Sequence, residues 1–375
     1  MTNAEEKKND STSGRVIRRG ARVTNADVAR AAGVSTASVS RALNSGNVSA
    51  EVRASVERAV ELLGYHPNSA ARTLMTRSTE SLALLCPDIA NPFFPKLIKG
   101  VQRAADSANY TLLLCNTDSD PRREERYFKM LRGRQVDGVL LIGLTGDQQN
   151  VDILHADGIA VVAIDRNIDR ADVPNVHVDH YKGARIATQH LIDLGHRRIA
   201  HIQGPRSLQV TKERDSGYRH VLSSAGVMCD SDYVLEGDFT EEGGEEAAHR
   251  LLERNPECTA IFAANDLMAI GAMAAARERG LEIPGDISIV GFDDISPASY
   301  VVPSLTTVRQ PVYELGTRAA ECVIEEIRRL RERGKAEATR TVICDPELIV
   351  RESSGEAKRD LASDVRRRSI EGKRR

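Results

Sequence analysis

One stretch near the start of the chain limits its folding options more than any other: Val23-Thr-Asn-Ala-Asp-Val-Ala-Arg-Ala-Ala-Gly-Val-Ser-Thr-Ala-Ser-Val-Ser-Arg-Ala-Leu-Asn44. It reads as two short helices joined by a tight turn. Thr24 is placed to cap the first, with Asp27 three positions on as the partner in a capping box. Val28 and Ala31 lie one turn apart on one face. Gly33 follows the last helical residue, where a positive φ is needed and a side chain would clash. Ser35 caps the second helix, whose Val39 and Leu43 fall on one side. This is a helix-turn-helix pattern, and a helix of this size fits a DNA major groove, where base edges are displayed. Its outward positions are Thr36, Ala37, Ser40 and Arg41, and Arg41 has the fork geometry for a bidentate contact to guanine. An ordinary helical hairpin in a globular core has the same pattern, so the rest of the chain must decide.

Charge distribution bears on that choice. The net charge is only −2 over 375 residues. Residues 1–77 nevertheless carry 12 Lys+Arg against 7 Asp+Glu, and residues 356–375 carry 8 against 4. A basic head on an acidic body points to a polyanion partner at the head. The six cysteines form no CxxC pair, as expected of reduced thiols. The first residues lack the apolar core of a secretory signal, and no apolar run is long enough to span a membrane. A cytoplasmic location follows as the expectation.

Residues 1–22, ending in Arg15-Val-Ile-Arg-Arg-Gly-Ala-Arg22, read as a disordered extension. After the two opening helices, Ser49 caps a third, with Val52, Val56, Val60 and Leu63 as its apolar stripe and Gly64 as its stop. Pro67 then breaks the chain. Asn68 or Ser69 can cap a helix through Met75 that is too short to be stable alone, a linker able to fold when a partner orders it.

The order Thr-x-x-Asp-Val-Ala-x-x-Ala-Gly-Val-Ser-x-x-x-Val-Ser-Arg-x-Leu-Asn, then Val-Ser-x-x-x-Arg, then Gly-Tyr-x-Pro-Asn-x-x-Ala-Arg-x-Leu resembles the lactose-repressor (LacI/GalR) family of transcriptional regulators. The resemblance runs from Thr24 to about Arg351. It implies that residues 68–76 form a hinge helix that orders on operator DNA, with Leu74 wedging between base pairs in the minor groove. Without the resemblance, Leu74 reads as a core residue of a short helix. The implied DNA-contacting set is Thr24, Ser35, Thr36, Ala37, Ser40, Arg41, Asn44, Asn68, Ala71, Arg72 and Leu74.

From Glu80 the texture changes to apolar runs alternating with helices: Ser81–Cys86, Tyr110–Cys115, Gly138–Gly143 and Ala160–Asp165, then Arg198–Gly204, Thr259–Asn265 and Ser288–Asp293. Strands separated by helices imply parallel sheets, and the restart about 115 residues on implies two similar α/β lobes flanking a cleft. Ligands in such sheets sit at the carboxyl ends of strands. The residues there are Asp88, Asn91, Phe93, Phe94, Asp165, Arg166, Arg214, Phe239, Asn265, Asp266, Asp293 and Asp294, with Gln310 on a return crossover. Singly, each reads as a loop cap or surface ion pair. Together, the carboxylates, amides and Arg suit hydroxyl groups, and the aromatics suit ring C–H faces.

The second domain also resembles periplasmic sugar-binding proteins, the ribose binder above all. That resemblance implies Asn91, Phe93, Phe94, Asp165, Arg166, Arg214, Phe239, Asn265, Asp293 and Gln310 as the effector-binding set. Leu208 and Val210 are apolar where the family's purine-responsive member has polar base-contacting groups. His177, His180, His190, His196 and His201 show no HxxxH or HExxH spacing, so no metal site is expected, and no cofactor or catalytic motif stands out.

The expected fold is an all-α helix-turn-helix headpiece plus an α/β two-lobed, periplasmic-binding-protein-like domain of two parallel-sheet, Rossmann-like subdomains. Its parts are an extension (1–22), a headpiece (23–66), a hinge (67–79), an effector and dimerisation domain (80–353) and a disordered basic tail (354–375). The first lobe is expected to comprise about 80–178 and 309–340, the second about 179–308 and 341–353. The expected function is a non-enzymatic, operator-binding repressor controlled by a small sugar, a ribose-like pentose or a hexose, bound in the cleft between the lobes. A regulator of the same family that ignores effectors, or answers to a nucleoside or purine, is the alternative. Expected partners are near-palindromic double-stranded operator DNA, a small-molecule effector and a second copy of the chain. The tail has no leucine heptads, so a dimer is expected rather than a tetramer. Bound to DNA, the regulator would sit on the bacterial nucleoid.

Overall fold

The computed structural model describes residues 23–43, 47–66, 78–133, 135–142, 148–165, 168, 172–333 and 341–358. Asn44, Asn68, Ala71, Arg72, Leu74 and Arg166 lie outside the described residues, as do the N-terminal extension, the hinge through residue 77 and residues 359–375. The chain divides into two compact units at Arg77/Ser78.

The first unit holds α1 (Asn25–Ala32), α2 (Thr36–Leu43) and α3 (Ala50–Leu63). The capping signals act as the sequence predicts. The Thr24 N–H donates to Asp27 Oδ2 at 3.0 Å, and Ser35 Oγ accepts from the Ser38 N–H at 3.1 Å. Gly33 turns the chain at φ 67°. Val28, Ala29, Val39, Ala42, Val56, Ala59 and Tyr65 form the core. The expected α3 stripe is centred on Val56 and Ala59, with Val52, Val60 and Leu63 only partly buried around them. Helix α3 also satisfies the ends of its neighbours. Arg53 Nη1 donates to the Ala42 carbonyl at 2.8 Å, and Ser55 Oγ to the Ala32 carbonyl at 3.0 Å, which supplies carbonyls that a helix end leaves without partners.

The second unit contains two six-stranded sheets. The first has the order β11 (Thr341–Cys344), β5 (Asn175–Val178), β4 (Ala160–Ile164), β3 (Gly138–Ile142), β1 (Ser81–Cys86), β2 (Thr111–Asn116), and all its pairings are parallel. The second has the order β12 (Glu347–Ile349), β10 (Thr306–Arg309), β9 (Ser288–Asp293), β8 (Ala260–Ala263), β6 (Ile199–Gln203), β7 (Val234–Glu236). There only β12 runs antiparallel. The central strands β3, β4, β6, β8 and β9 are buried along their whole length, as strands covered on both faces must be. Helices α4 (Phe93–Ser107) and α11 (Val312–Arg333) pack together on the first sheet, and α7 (His180–Asp193) and α8 (Gln209–Ser224) on the second.

Three expected boundaries need correction. The segment 341–353 does not belong wholly to the second lobe. Thr341–Cys344 pairs in register with Asn175–Val178, extending the first sheet, and the chain crosses only at Asp345 and Pro346. The tail does not begin at 354. The Gly355 N–H donates to Ser288 Oγ at 3.0 Å, the Ala357 N–H to the Leu194 carbonyl at 2.9 Å, and Lys358 pairs with Asp286, so residues 354–358 clasp the second lobe. The lobes are thus joined by three crossovers, at Asp179, at Gln310–Pro311 and at Asp345–Pro346. Ser78 and Thr79 already belong to this unit, since both donate to the Asp137 carboxylate, at 2.6 and 2.8 Å.

His201 on β6 is fully buried between Phe262, whose ring stacks at 4.8 Å, and Tyr218 at 5.0 Å. Nδ1 meets the Phe262 carbonyl at 2.9 Å, while Nε2 has no hydrogen-bond partner among the described residues. Burial disfavours the imidazolium and pushes this histidine down to about 4. The folded state therefore refuses a proton that the unfolded chain accepts below about 6.5. Stability is expected to fall as pH drops from about 6.5 toward 4, by up to roughly 1.4 kcal/mol per pH unit from this group alone. In thermal melts over that window, His201→Gln should lose less stability on acidification than the parent chain.

Candidate functional site

The first candidate surface is the exposed side of α2. Thr36, Ala37 and Arg41 are exposed, and Ser40 is half-buried, while Val39 and Ala42 on the opposite side enter the core. Thr24 and Ser35 are exposed at the starts of α1 and α2. These six of the eleven expected DNA-contacting residues are described. The helix thus presents small polar groups and one guanidinium on a rigid element fixed by its core. Arg41 Nε donates to the Ala37 carbonyl at 3.3 Å, folded back along its own helix.

The second candidate is a cavity of about 660 Å³ between the carboxyl ends of the two sheets, a size typical of small-molecule sites. All nine described members of the expected effector set line it: Asn91, Phe93 and Phe94 after β1, Asp165 after β4, Arg214 on α8, Phe239 after β7, Asn265 after β8, Asp293 ending β9, and Gln310 after β10. Leu208 and Val210 line it too, as do Ile142 and Pro205.

A buried polar chain crosses the floor of this cavity. The Asp165 carboxylate accepts from the Val178 N–H at 2.9 Å and meets His180 Nε2 at 3.0 Å. On the far side of the imidazole, Arg214 Nη2 lies 3.2 Å and Nε 3.4 Å from His180 Nδ1. A guanidinium has only N–H groups to offer, so Nδ1 must accept and Nε2 must carry the proton toward Asp165. Arg214 also donates to the Ala264 carbonyl, stacks 4.0 Å over the Phe292 ring, and lies 3.9 Å from Asp293. Asp293 accepts from Gln310 Nε2 at 2.5 Å. Gln310 Oε1 is buried with no partner among the described residues, an acceptor that a ligand hydroxyl can satisfy. The two carboxyls are tuned apart. Burial works to raise Asp165, but His180, the Val178 N–H and Arg214 outweigh it and hold it down. Burial also raises Asp293, and there Arg214 and Gln310 do not reverse it, so the carboxyl sits well above its ordinary range.

Sequence reasoning set His180 aside as one of several scattered histidines, yet it is the joint of this chain. Its signal was position: it directly follows Asp179 at a lobe crossover. Glu124, Asp118, Ser119, Ser207, Asp238 and Thr240 also line the cavity, which periodicity alone does not reveal. Nor does sequence show the backbone strain collected here. Asp118, Ser119, Asp165, Phe239 and Asp293 all have positive φ, from 48° to 120°. Such backbone costs non-glycine residues about 1–3 kcal/mol each and clusters at functional sites. Phe239, at φ 71°, is the bulkiest case. Asn265 anchors it, donating from Nδ2 to the Phe239 carbonyl at 3.0 Å while its Oδ1 caps α10 (Asp266–Glu278) through the Met268 N–H at 2.9 Å. Away from the cavity, Glu245, His249 and Glu278 come together among the described residues, but as surface ion pairs, with His249 Nε2 3.1 Å from Glu278.

The Phe239 ring lies against Gly204, where any Cβ would overlap it. Gly204→Ala should therefore displace the ring and weaken ligand binding by tenfold or more, on the order of 1.4 kcal/mol, while the fold survives. Calorimetric titration beside a thermal melt checks both halves.

Residues 24–68 match the family model of bacterial regulatory proteins of the lacI family, and residues 79–349 match that of periplasmic binding proteins and the sugar-binding domain of the LacI family. The chain is 37% identical over 334 residues to the HTH-type transcriptional regulator DegA of Bacillus subtilis, covering 88% of this chain and 97% of that one. It is 40% identical over 302 residues to the ribose operon repressor of Halalkalibacterium halodurans, covering 80% and 89%. Among solved structures, the lac repressor dimer bound to operator and the anti-inducer ONPF is similar at a TM-score of 0.78 and 27% identity, covering 89% of this chain and all of that one. With a helix-turn-helix head and a two-lobed receptor both matched across nearly their whole length, the chain belongs to the LacI family of DNA-binding transcriptional regulators, which are not enzymes.

Proposed function

We propose that this chain is a repressor that binds a near-palindromic operator as a dimer, and that a small sugar of the pentose class, ribose or a close relative, sets its operator affinity. The observation that carries the sugar reading is the mixed lining of the cavity. Half-buried Asp165 and buried Arg214, Asp293 and Gln310 offer hydroxyl partners on its floor, and Phe93, Phe94 and Phe239 offer flat apolar faces for ring C–H surface. The identity shared with a protein named as a ribose operon repressor supports the same class. The Leu208 and Val210 side chains carry no polar atoms for a purine base. Such a regulator works where the chromosome is. Among the described residues no helix is long and apolar enough to cross a membrane.

In this account α2 reads base edges and the hinge, Asn68 to Met75, orders on the duplex with Leu74 in the minor groove. Asn44, Ala71 and Arg72 add contacts there, and Arg166 joins the effector set. Ligand in the cavity bridges residues from both lobes and so favours one lobe arrangement over another. Coupling that choice to the hinge makes one bistable element answer to two sites, which is allostery in the thermodynamic sense.

The test uses a duplex selected from random sequence by the full chain. Fluorescence anisotropy should give tight binding to that duplex and an affinity shifted at least fivefold by saturating ribose, in the range typical of allosteric coupling. Unchanged affinity while calorimetry shows ribose bound would refute the coupling. Arg41→Ala should weaken binding to the selected duplex by about 1–3 kcal/mol, the value of a good bidentate base contact. Binding to unrelated duplex should change far less.

A further inference from the structure

We propose that the cavity selects by charge: its effector is an uncharged polyhydroxy compound, and phosphorylated or carboxylated forms of the same compound are excluded. This rests on the reading of the cavity as an effector site but does not depend on the effector being a pentose.

Among the described residues, five carboxylates face the cavity, from Asp88, Asp118, Glu124, Asp165 and Asp238, beside the Asp293 carboxyl that stays above its ordinary range, against the single guanidinium of Arg214 in the lining. Of the five, Asp118 is also paired with Arg123. That guanidinium is already engaged with His180, the Ala264 carbonyl and Asp293. His180 shares the lining, but its acceptor nitrogen faces Arg214 and its donor faces Asp165. Carboxylates accept hydrogen bonds and cannot donate them. A hydroxyl-rich ligand supplies the donors they need. A phosphate at neutral pH brings more acceptors and more negative charge, and juxtaposed like charges cost several kcal/mol.

Helix N-termini are the usual answer to an anion, because their free N–H groups and positive dipole ends bind phosphate. Here several of the N–H groups at or just before the helix starts are already taken by the protein's own side chains. At the start of α4, the Phe93 N–H donates to Asn91 Oδ1 at 3.0 Å and the Ala90 N–H to Asp88 Oδ1 at 2.8 Å. At α5 (Pro121–Leu131), the Arg122 N–H donates to Asp120 Oδ1 at 2.8 Å. At α9 (Glu241–Arg254), Thr240 Oγ1 takes the Gly243 N–H at 3.0 Å, and Asp238 takes the Thr240 N–H at 3.0 Å. At α10, Asn265 takes the Met268 N–H at 2.9 Å. Helix α8 has no side-chain cap, and there the residue at the cap is Leu208, which brings apolar surface to the cavity.

The experiment is calorimetric titration of the full chain with two matched pairs: ribose with ribose 5-phosphate, and adenosine with adenosine 5′-monophosphate. In whichever pair binds, the uncharged member should bind about a hundredfold tighter, a conservative reading of a several kcal/mol like-charge cost. A phosphorylated member that binds as tightly as its neutral partner, or binds where the neutral compound does not, overturns the proposal. If ribose fails while adenosine outbinds its monophosphate, the pentose reading falls and charge selection stands. The double variant Asp88→Asn/Asp118→Asn keeps hydrogen-bond acceptors at both places and removes two charges. It should narrow the neutral-to-phosphorylated ratio about tenfold. An unchanged ratio, with both ligands weakened equally, would mark these residues as merely structural and contradict the charge argument.

Discussion

The receptor depends on one buried contact, the imidazole of His180 held between Asp165 and Arg214. Asp165 stands at the end of a first-lobe strand, Arg214 on a second-lobe helix, and His180 at the crossover between them. Burying a carboxylate and a guanidinium is costly unless each is paired and its remaining hydrogen-bonding groups are satisfied. The histidine, facing Asp165 with one ring nitrogen and Arg214 with the other, meets that condition on both sides at once. It also ties the floor of the cavity to one of the crossovers between the lobes, at Asp179.

The same logic explains why charge and strain collect around this cavity. Parallel sheets put the carboxyl ends of their strands, and the loops that follow, on one side. Loops there must turn sharply into helices, and several do so through positive-φ residues whose side chains line the cavity. Asn265 shows how such geometry is held. One amide caps a helix and anchors the Phe239 carbonyl, so the aromatic wall and the helix start are fixed together.

Much of this was legible in the sequence, for identifiable reasons. The headpiece could be read because its caps and Gly33 are local signals, each acting within four residues. The nine cavity residues were legible because strand ends in an α/β fold share a side and because the resemblance to sugar-binding proteins picked them out. Asp266 and Asp294, also strand-end residues, are not in the lining: Asp266 pairs instead with Thr307, and Asp294 with Arg309 and Arg351. What escaped was non-local. Thr341–Cys344 looks like any short apolar strand, and only its pairing with Asn175–Val178 assigns it to the first sheet. Ser354 to Lys358 reads as the start of a polar tail, yet Gly355 and Ala357 find partners in Ser288 and Leu194, far away in sequence. His180 carries no motif, and its role comes from two partners on different lobes. The left-handed backbone of Phe239 has no sequence signature, because the residue there is the type least suited to it.

The central claim is that one chain carries two sites which bias a common element, and such coupling must be reciprocal. The direct measurement is the dissociation constant of ribose, taken by calorimetry for the protein alone and for the protein saturated with its selected duplex. The account predicts two different constants, whose ratio equals the factor by which saturating ribose changes the affinity for that duplex. Identical ribose affinity with and without bound DNA would contradict it.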